Sequence, residues 1–506
     1  MTDSDRQDRI FAFLAGERHP NVRRIDTHAA VVFLEGDRAL KIKRAVRFPF
    51  LDYSTLAKRK AACEQELTVN RPFAPDIYRR VVPITESADG TLGIDADGTP
   101  VEYAVEMTRF DEGRTLDHLA AEAALDSDLI EALAAAVAAS HDAATPVRDT
   151  RWVETILPIV ADNTAELQAP SRLPAADIDR LDQASRSAFS RVRDLLHRRT
   201  RDGFVRRCHG DLHLANVVLI AGKPVLFDAI EFDPSIATTD ILYDLAFPVM
   251  DLVRYGRLGS ANVLLNGYLR RGAGNNLDAL ALLPLFLSLR AAIRAKVLLA
   301  RVADQPQLMP SVRGYFDLAL RAIDPPPPAL IAIGGLSGTG KSVLARDLAP
   351  GIGALPGAVI LRTDVIRKQL LRVKETEHLP EDAYRPEVTR RIYEALAQQA
   401  ARILAQGHSV VADAVFAAEW ERAAIGEVAR QSNVRFTGLF LQADLATRLR
   451  RVGQRKQDAS DATPAVAQRQ DSYEIGKLDW TVVDASGTPE QTLASCRAGT
   501  AARVPA

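Results

Sequence analysis

The chain has 506 residues, about three times a common domain size, so a single compact core is not expected. Apolar residues make up 47% and charged residues 25%, an ordinary globular balance that excludes wholesale disorder. The 64 basic and 65 acidic side chains leave a formal net charge of -1, which gives no global field for gripping nucleic acid or an anionic membrane.

The first sixteen residues lack the basic start and apolar stretch of a signal peptide. The most apolar window, Ala279 to Leu287, contains Pro284 and falls far short of the roughly 20 residues that span a bilayer. The protein is therefore expected to be soluble and cytoplasmic, with no membrane partner. Ala30 to Leu34 and Ala39 to Lys43 flank Glu35-Gly36-Asp37, the signature of a β-hairpin. Thr55 to Asn70 has helical spacing, and Val101 to Met107 reads as a strand. From Leu116 onward the pattern turns helical, most clearly over Ile130 to Ala144. A strand-rich small lobe (about 20–110) is thus expected before a helical large lobe (about 111–324). Cys63, Cys208 and Cys496 lie far apart, form no CxxC or Cys/His cluster in the sequence, and give no reason to expect a disulfide scaffold or a structural zinc.

Residues 209 to 216 read His-Gly-Asp-Leu-His-Leu-Ala-Asn, and a strand-like Val-Leu-Phe follows and ends in Asp228. Phosphoryl transfer needs a carboxylate to orient the attacking hydroxyl and separate oxygen ligands to hold Mg²⁺ against nucleotide phosphates. Asp211 fits the first role, and Asn216 and Asp228 fit the second. On this combination, residues 20 to 320 resemble the aminoglycoside phosphotransferase family, relatives of choline kinases and more distantly of protein kinases. The resemblance implies a strand lysine for the α- and β-phosphates. Lys41 and Lys43 share one strand face, so spacing cannot separate them, and Lys41 is preferred for its Ala-Leu-Lys context. It further implies a helix glutamate as the partner of that lysine, Glu66 or Glu64, and backbone groups at Met107 for adenine. No GxGxxG precedes the lysine, where the chain has Asp26-Thr27-His28-Ala29. Asp240 and Asp244, like Arg290 and Arg294, lie one helical turn apart and read as structural ion-pair partners.

Asp324 followed by Pro325 to Pro328 reads as an extended spacer between domains 1–324 and 329–506. Next, a short apolar strand from Leu330 runs into Gly335-Leu336-Ser337-Gly338-Thr339-Gly340-Lys341-Ser342, the P-loop pattern, and a helix follows from Val343. Backbone N–H groups of Gly335, Ser337, Gly338, Thr339 and Gly340 are expected to face phosphate oxygens. Lys341 would meet the β- and γ-phosphates, and Ser342 the Mg²⁺. Val359 to Leu361 and Val410 to Ala412 read as further strands, the second ending at Asp413, placed for water-mediated Mg²⁺ binding or hydroxyl activation. Asp364 and Arg367 resemble the acceptor-side Asp-x-x-Arg of polynucleotide kinases, gluconate kinases and zeta toxins, implying a base and a substrate clamp. A helix N-cap is the competing reading of Asp364. Arg448, Arg451 and Arg455 resemble the lid arginines of small P-loop kinases, and a solvated basic helix is their alternative.

The expected architecture is an α+β bilobal protein-kinase-like domain followed by an α/β P-loop NTPase domain with a parallel sheet. The expected activity is ATP- and Mg²⁺-dependent transfer of a phosphoryl group to small-molecule hydroxyls at two nucleotide sites. Two alternatives stay open: a single catalytic domain regulated by a nucleotide-sensing partner domain, and a C-terminal nucleic-acid end kinase. Neutral overall charge and the lack of aromatic-basic clusters count against the nucleic-acid reading. Acceptor, nucleotide base and oligomeric state are not encoded legibly.

Overall fold

The Glu35-Gly36-Asp37 turn closes as its residues require. In a computed structural model, describing residues 3–16, 22–48, 51–169, 172–271, 276–454 and 458–501, strands Ala30–Glu35 and Arg38–Lys43 pair antiparallel. Gly36 takes φ 55°, a left-handed conformation open to a residue without Cβ. Among the described residues, six strands form one sheet in the order Arg23–Asp26, Ala30–Glu35, Arg38–Lys43, Thr99–Thr108, Tyr78–Glu86, Leu92–Ile94. Alternation along Arg38–Lys43 sends Leu40 and Ile42 into a core with Ile10, Phe11, Val31 and Phe33. Lys41 and Lys43 are left for the opposite face. The helix Leu56–Asn70 starts where expected: Thr55 is its N-cap, its side chain accepting from the Lys58 N–H.

The helical lobe begins after a short 3₁₀ turn, with helices Leu116–Ala121 and Ser127–Ala143, the second capped by Asp126. The His209–Asn216 loop lies between strand Val205–Arg207 and the hairpin of Val217–Ile220 with Lys223–Leu226. Asp240 caps the buried helix Ile241–Arg254, accepting from the Leu242 N–H at 2.8 Å. None of the described helices is long and apolar enough to cross a membrane.

The chain resolves into two compact units, residues 1–158 with 193–255 and residues 159–192 with 256–506. The unit boundaries therefore do not fall at Pro325–Pro328, although those prolines are extended and carry no regular structure. Helix Leu258–Arg271 belongs with the C-terminal sheet, for a visible reason. Asn262 Nδ2 donates to Ala358 O at 3.0 Å, and Asn266 Oδ1 accepts from Ile360 N–H at 2.8 Å. Two side-chain amides thus satisfy backbone groups of edge strand Val359–Arg362, which would otherwise present an open sheet edge.

That sheet is parallel, in the order Val359–Arg362, Val410–Asp413, Ala329–Gly335, Arg435–Gln442, Thr481–Asp484. Ala329–Gly335 comes first in the chain yet lies centrally, so the loop after it opens at a topological switch point, the usual ligand position in open α/β sheets. Its core contains Ile331, Ile333, Leu344, Val411, Leu439 and Leu441. Gly438 is required by packing, since a Cβ there would lie 2.4 Å from the Trp480 ring.

His408, 1% exposed, donates from Nε2 to Gly357 O at 2.9 Å, and burial pushes its pKa down from 6.5 to about 4. The unfolded chain therefore binds a proton below about pH 6.5 that the folded chain refuses until about pH 4. Stability contributed at neutral pH is lost on acidification through that window, to a total of about 3 kcal/mol. His408→Gln is expected to flatten this part of the profile, read by urea unfolding at pH 7 and pH 4.5.

Candidate active sites

In the first unit, the fold brings Asp228 to the lysine face of the sheet. Glu66, fully buried, lies between both lysines, with Oε1 2.8 Å from Lys41 Nζ and Oε2 2.6 Å from Lys43 Nζ. Glu64 points elsewhere, 3.8 Å from Lys60 on the exposed helix face. The choice between the two glutamates is thus decided by geometry. Glu66 pairs with both lysines, so this contact alone does not separate them. Lys41 reaches on to Asp228 Oδ1 at 2.6 Å, and Lys43 to Glu231 Oε1 at 2.5 Å. Burial opposes charge on Glu66, but the lysines outweigh it and hold its pKa down at about 2. Burial likewise opposes charge on Lys41, and Asp228 and Glu66 overcome it, keeping the ammonium well above its usual range.

Asp228 takes φ 60°, a sparsely populated conformation for a residue with a side chain. It is held by hydrogen bonds from Asp228 N–H to Tyr78 Oη at 3.1 Å and from Ala229 N–H to Asn70 Oδ1 at 2.6 Å. Asn216 Nδ2 donates to Asp211 O at 2.9 Å, placing the amide beside the Asp211 carboxylate, which is 40% exposed. Gly210 has φ 84°, and a Cβ there would meet the Ala237 side chain at 2.9 Å. Its N–H donates to Asp244 Oδ1 at 2.9 Å, while Asp244 Oδ2 lies 3.2 Å from His141 Nε2. Asp240 pairs with Arg199, so Asp240 and Asp244 are internal ties, as their spacing allowed. Met107 lies opposite Ala39, one residue before the paired run ends at Thr108 opposite Arg38, and Glu106 is engaged by Arg80 at 3.0 Å.

One juxtaposition lies outside what the sequence offered. No Cys/His cluster is visible in the sequence, yet the fold sets Cys208 beside His141 and Asp244, with their ligand-type atoms within 4.8 Å of one another. Residues 141, 208 and 244 come from three separate elements, so spacing carries no trace of this group.

In the second unit, Gly335, Gly338 and Gly340 all have positive φ, and Gly340 caps helix Lys341–Leu348. Lys341 Nζ lies 3.2 Å from Leu336 O, folded over the loop. Ser342 Oγ donates to Asp413 Oδ2 at 2.6 Å, so hydroxyl and carboxylate oxygen are adjacent as a shared Mg²⁺ site needs. Arg362 links Asp413, at 3.4 Å, to Asp458, at 2.8 Å. Asp364 is not an N-cap, because Arg362 holds that position and Asp364 lies in the first turn of Thr363–Leu370. Burial pushes the Asp364 pKa up from its ordinary value, against the pull of Arg362 and Lys341.

Other expected residues are placed differently. Arg367 is buried, donates to Ala383 O at 2.6 Å and lies 4.6 Å over the Tyr384 ring. Arg448 is 2% exposed and donates to Ser337 O, Ala467 O and Asp471, so it braces the P-loop from within rather than lying on a solvated helix. The Ser337 N–H, expected to face phosphate, donates to Gln470 Oε1 at 2.7 Å. Arg451 donates to Ala485 O and Gly487 O, beyond edge strand Thr481–Asp484, so its guanidinium is engaged with backbone there. Arg455 lies outside the described residues. Sequence reading missed Arg362 and the group in which Asp461 accepts from Lys368 at 2.7 Å and from Tyr384 at 2.5 Å. An Asp458-x-x-Asp461 pair following basic helix residues was the available signal.

Comparison with known proteins agrees with the division of motifs. A family model described as "Phosphotransferase enzyme family" matches residues 19–283, and one described as "AAA domain" matches 330–474. An uncharacterized protein of Mycobacterium tuberculosis is 28% identical over 482 residues, covering 92% of this chain and 93% of its own length; a Mycobacterium bovis protein matches equally. Among solved structures, the amicoumacin kinase hAmiN, in complex with AMP-PNP, Ca²⁺ and Ami, is 18% identical with TM-score 0.38. It covers 62% of this chain and 93% of its own. A gluconokinase from Sinorhizobium meliloti is 19% identical with TM-score 0.26, covering 35% and 93%.

Proposed function

The chain belongs to the phosphotransferase enzyme family, and from that premise we propose an ATP- and Mg²⁺-dependent kinase with two nucleotide sites acting on small-molecule hydroxyls. The observation that carries the reading is the Lys41–Glu66 pair in contact with Asp228, whose neighbour Phe227 donates its N–H to Asn216 O at 3.0 Å while Asn216 Nδ2 bonds Asp211 O. In the first unit, Lys41 would bind the α- and β-phosphates, Asp228 and the Asn216 oxygen would hold Mg²⁺, and Asp211 would orient the acceptor hydroxyl and take its proton. Met107 would offer its backbone to adenine. In the second, Lys341 and the glycine loop would hold the phosphates, Ser342 and Asp413 the metal, and Asp364 would serve as base, with Arg367 the substrate clamp. Bound Mg²⁺ would offset phosphate charge at both sites. Domain limits at 1–324 and 329–506 fit the family matches, which leave the proline segment between them.

The Asn262 and Asn266 contacts favour one elaboration. A helix inside the phosphotransferase match grips the strand that leads to Asp364, a route by which one half of the chain would tune the other.

The test is to incubate the full chain with Mg²⁺, isotopically labelled ATP and a metabolite extract, reading labelled products by mass spectrometry. Two separable products are expected, one lost in Asp211→Ala and the other in Lys341→Ala. Loss of all product in either variant alone would replace two kinases by one kinase and a nucleotide sensor. ATP hydrolysis with no labelled acceptor would overturn the transferase reading.

A further inference from the structure

The lysine face of the first unit carries a second ion pair that the proposed chemistry does not use. Lys43 is 3% exposed and Glu231 7%, whereas Lys41 is 15% and Asp228 42% exposed. The two lysines are joined through Glu66, and Tyr53 Oη donates to Glu231 Oε1 at 3.1 Å. The Lys41–Asp228 pair is thus the one open to solvent. The closed pair, Lys43–Glu231, is shut in behind it.

This difference matters for Asp228. Were Mg²⁺ to take the Asp228 oxygen that Lys41 now holds, Lys41 would release it and turn to the phosphates. Asp228 then loses its charged partner while its backbone remains at φ 60°. Such a conformation costs on the order of 1–3 kcal/mol and persists only where neighbours over-determine it. Glu231 lies three residues further along the same segment, and Lys43 ties it to the sheet. Asn70 secures the backbone between them, its Nδ2 donating to Ala229 O at 3.1 Å.

We propose that Lys43 and Glu231, with Tyr53, form a positioning pair that keeps Asp228 aimed at the metal after Lys41 has left it. The inference rests on the reading of the first unit as a Mg²⁺-dependent nucleotide site. It assigns Lys43 a role distinct from Lys41, and Glu231 a role that follows from the fold rather than from either motif.

The test uses the full chain carrying Lys341→Ala, so that the P-loop does not contribute. A fluorescent ATP analogue is titrated with Mg²⁺ at fixed nucleotide. Glu231→Gln is expected to raise the Mg²⁺ concentration for half-maximal binding about tenfold, the usual scale for groups that orient a metal ligand. Tyr53→Phe, which removes one hydroxyl, is expected to raise it about threefold with the fold intact. Asp228→Asn should abolish the Mg²⁺ dependence. An unchanged midpoint in both Glu231→Gln and Tyr53→Phe, with Asp228→Asn defective, overturns the positioning role and leaves the nucleotide site standing. If Glu231→Gln does not fold, the Tyr53→Phe midpoint decides. No Mg²⁺-dependent binding in the Lys341→Ala parent overturns the nucleotide reading itself, and the inference with it.

Discussion

Asp211→Asn is expected to lower kcat for the reaction of the first unit by about 10³-fold while leaving ATP affinity within a factor of two to three, since a positioned general base contributes about 10²–10⁴. The separation follows from the geometry. Asn216 Nδ2 bonds the main-chain oxygen of residue 211 at 2.9 Å, a contact that survives the substitution. The proposed phosphate lysine and metal carboxylate are Lys41 and Asp228, whose contacts with Glu66 and with one another do not involve residue 211. A variant that keeps nucleotide binding and loses transfer places residue 211 on the acceptor side of the reaction. Single-turnover measurement with the acceptor identified from labelled ATP checks this, because it separates chemistry from product release. A fall of less than tenfold would take the base role away from Asp211.

The chemistry was legible where it is written in consecutive residues. His209 to Asn216 and Gly335 to Ser342 stay together as loops, and strand, turn and helix appear around them where the sequence places them. What failed was inference about side chains whose partners come from distant segments. Spacing put Lys41 and Lys43 on one face but could not show that Glu66 bridges them, since that depends on how helix Leu56–Asn70 crosses the sheet. Arg448 and Arg451 lie in one helix, Leu445–Gly453, and share one resemblance to lid arginines. Packing gives them opposite tasks, Arg448 beneath the P-loop and Arg451 beyond the last strand. Gln470 and Glu231 had no local signal, because their significance lies in what reaches them from 133 and 188 residues away.

Arg199→Met is expected to destabilise the first unit by about 3–5 kcal/mol, the usual effect of removing one partner from a buried ion pair. For a unit of this size that corresponds to a fall in Tm of about 10 °C. Arg199 meets Asp240 through two bonds, Nε to Oδ2 at 2.6 Å and Nη2 to Oδ1 at 2.8 Å, and the side chains are 4% and 0% exposed. Its guanidinium also lies 4.1 Å over the Phe204 ring. Without Arg199, Asp240 remains as a buried charge at the first turn of Ile241–Arg254, still required as that helix's cap. The double variant Arg199→Met/Asp240→Leu is expected to recover part of the loss by removing the uncompensated charge. The cap is not restored, so about 1 kcal/mol stays missing. Circular dichroism melts of both variants check the order of stabilities. A single variant no less stable than wild type would show that this pair is not what fixes the helix. The consequence reaches the site, because the same helix carries Asp244, which accepts the Gly210 N–H at 2.9 Å next to Asp211. His141 holds Asp244 independently of Arg199, at 3.2 Å. Below the melting range, kcat of Arg199→Met should therefore fall less than tenfold, far less than in Asp211→Asn, with the damage read in stability rather than in chemistry.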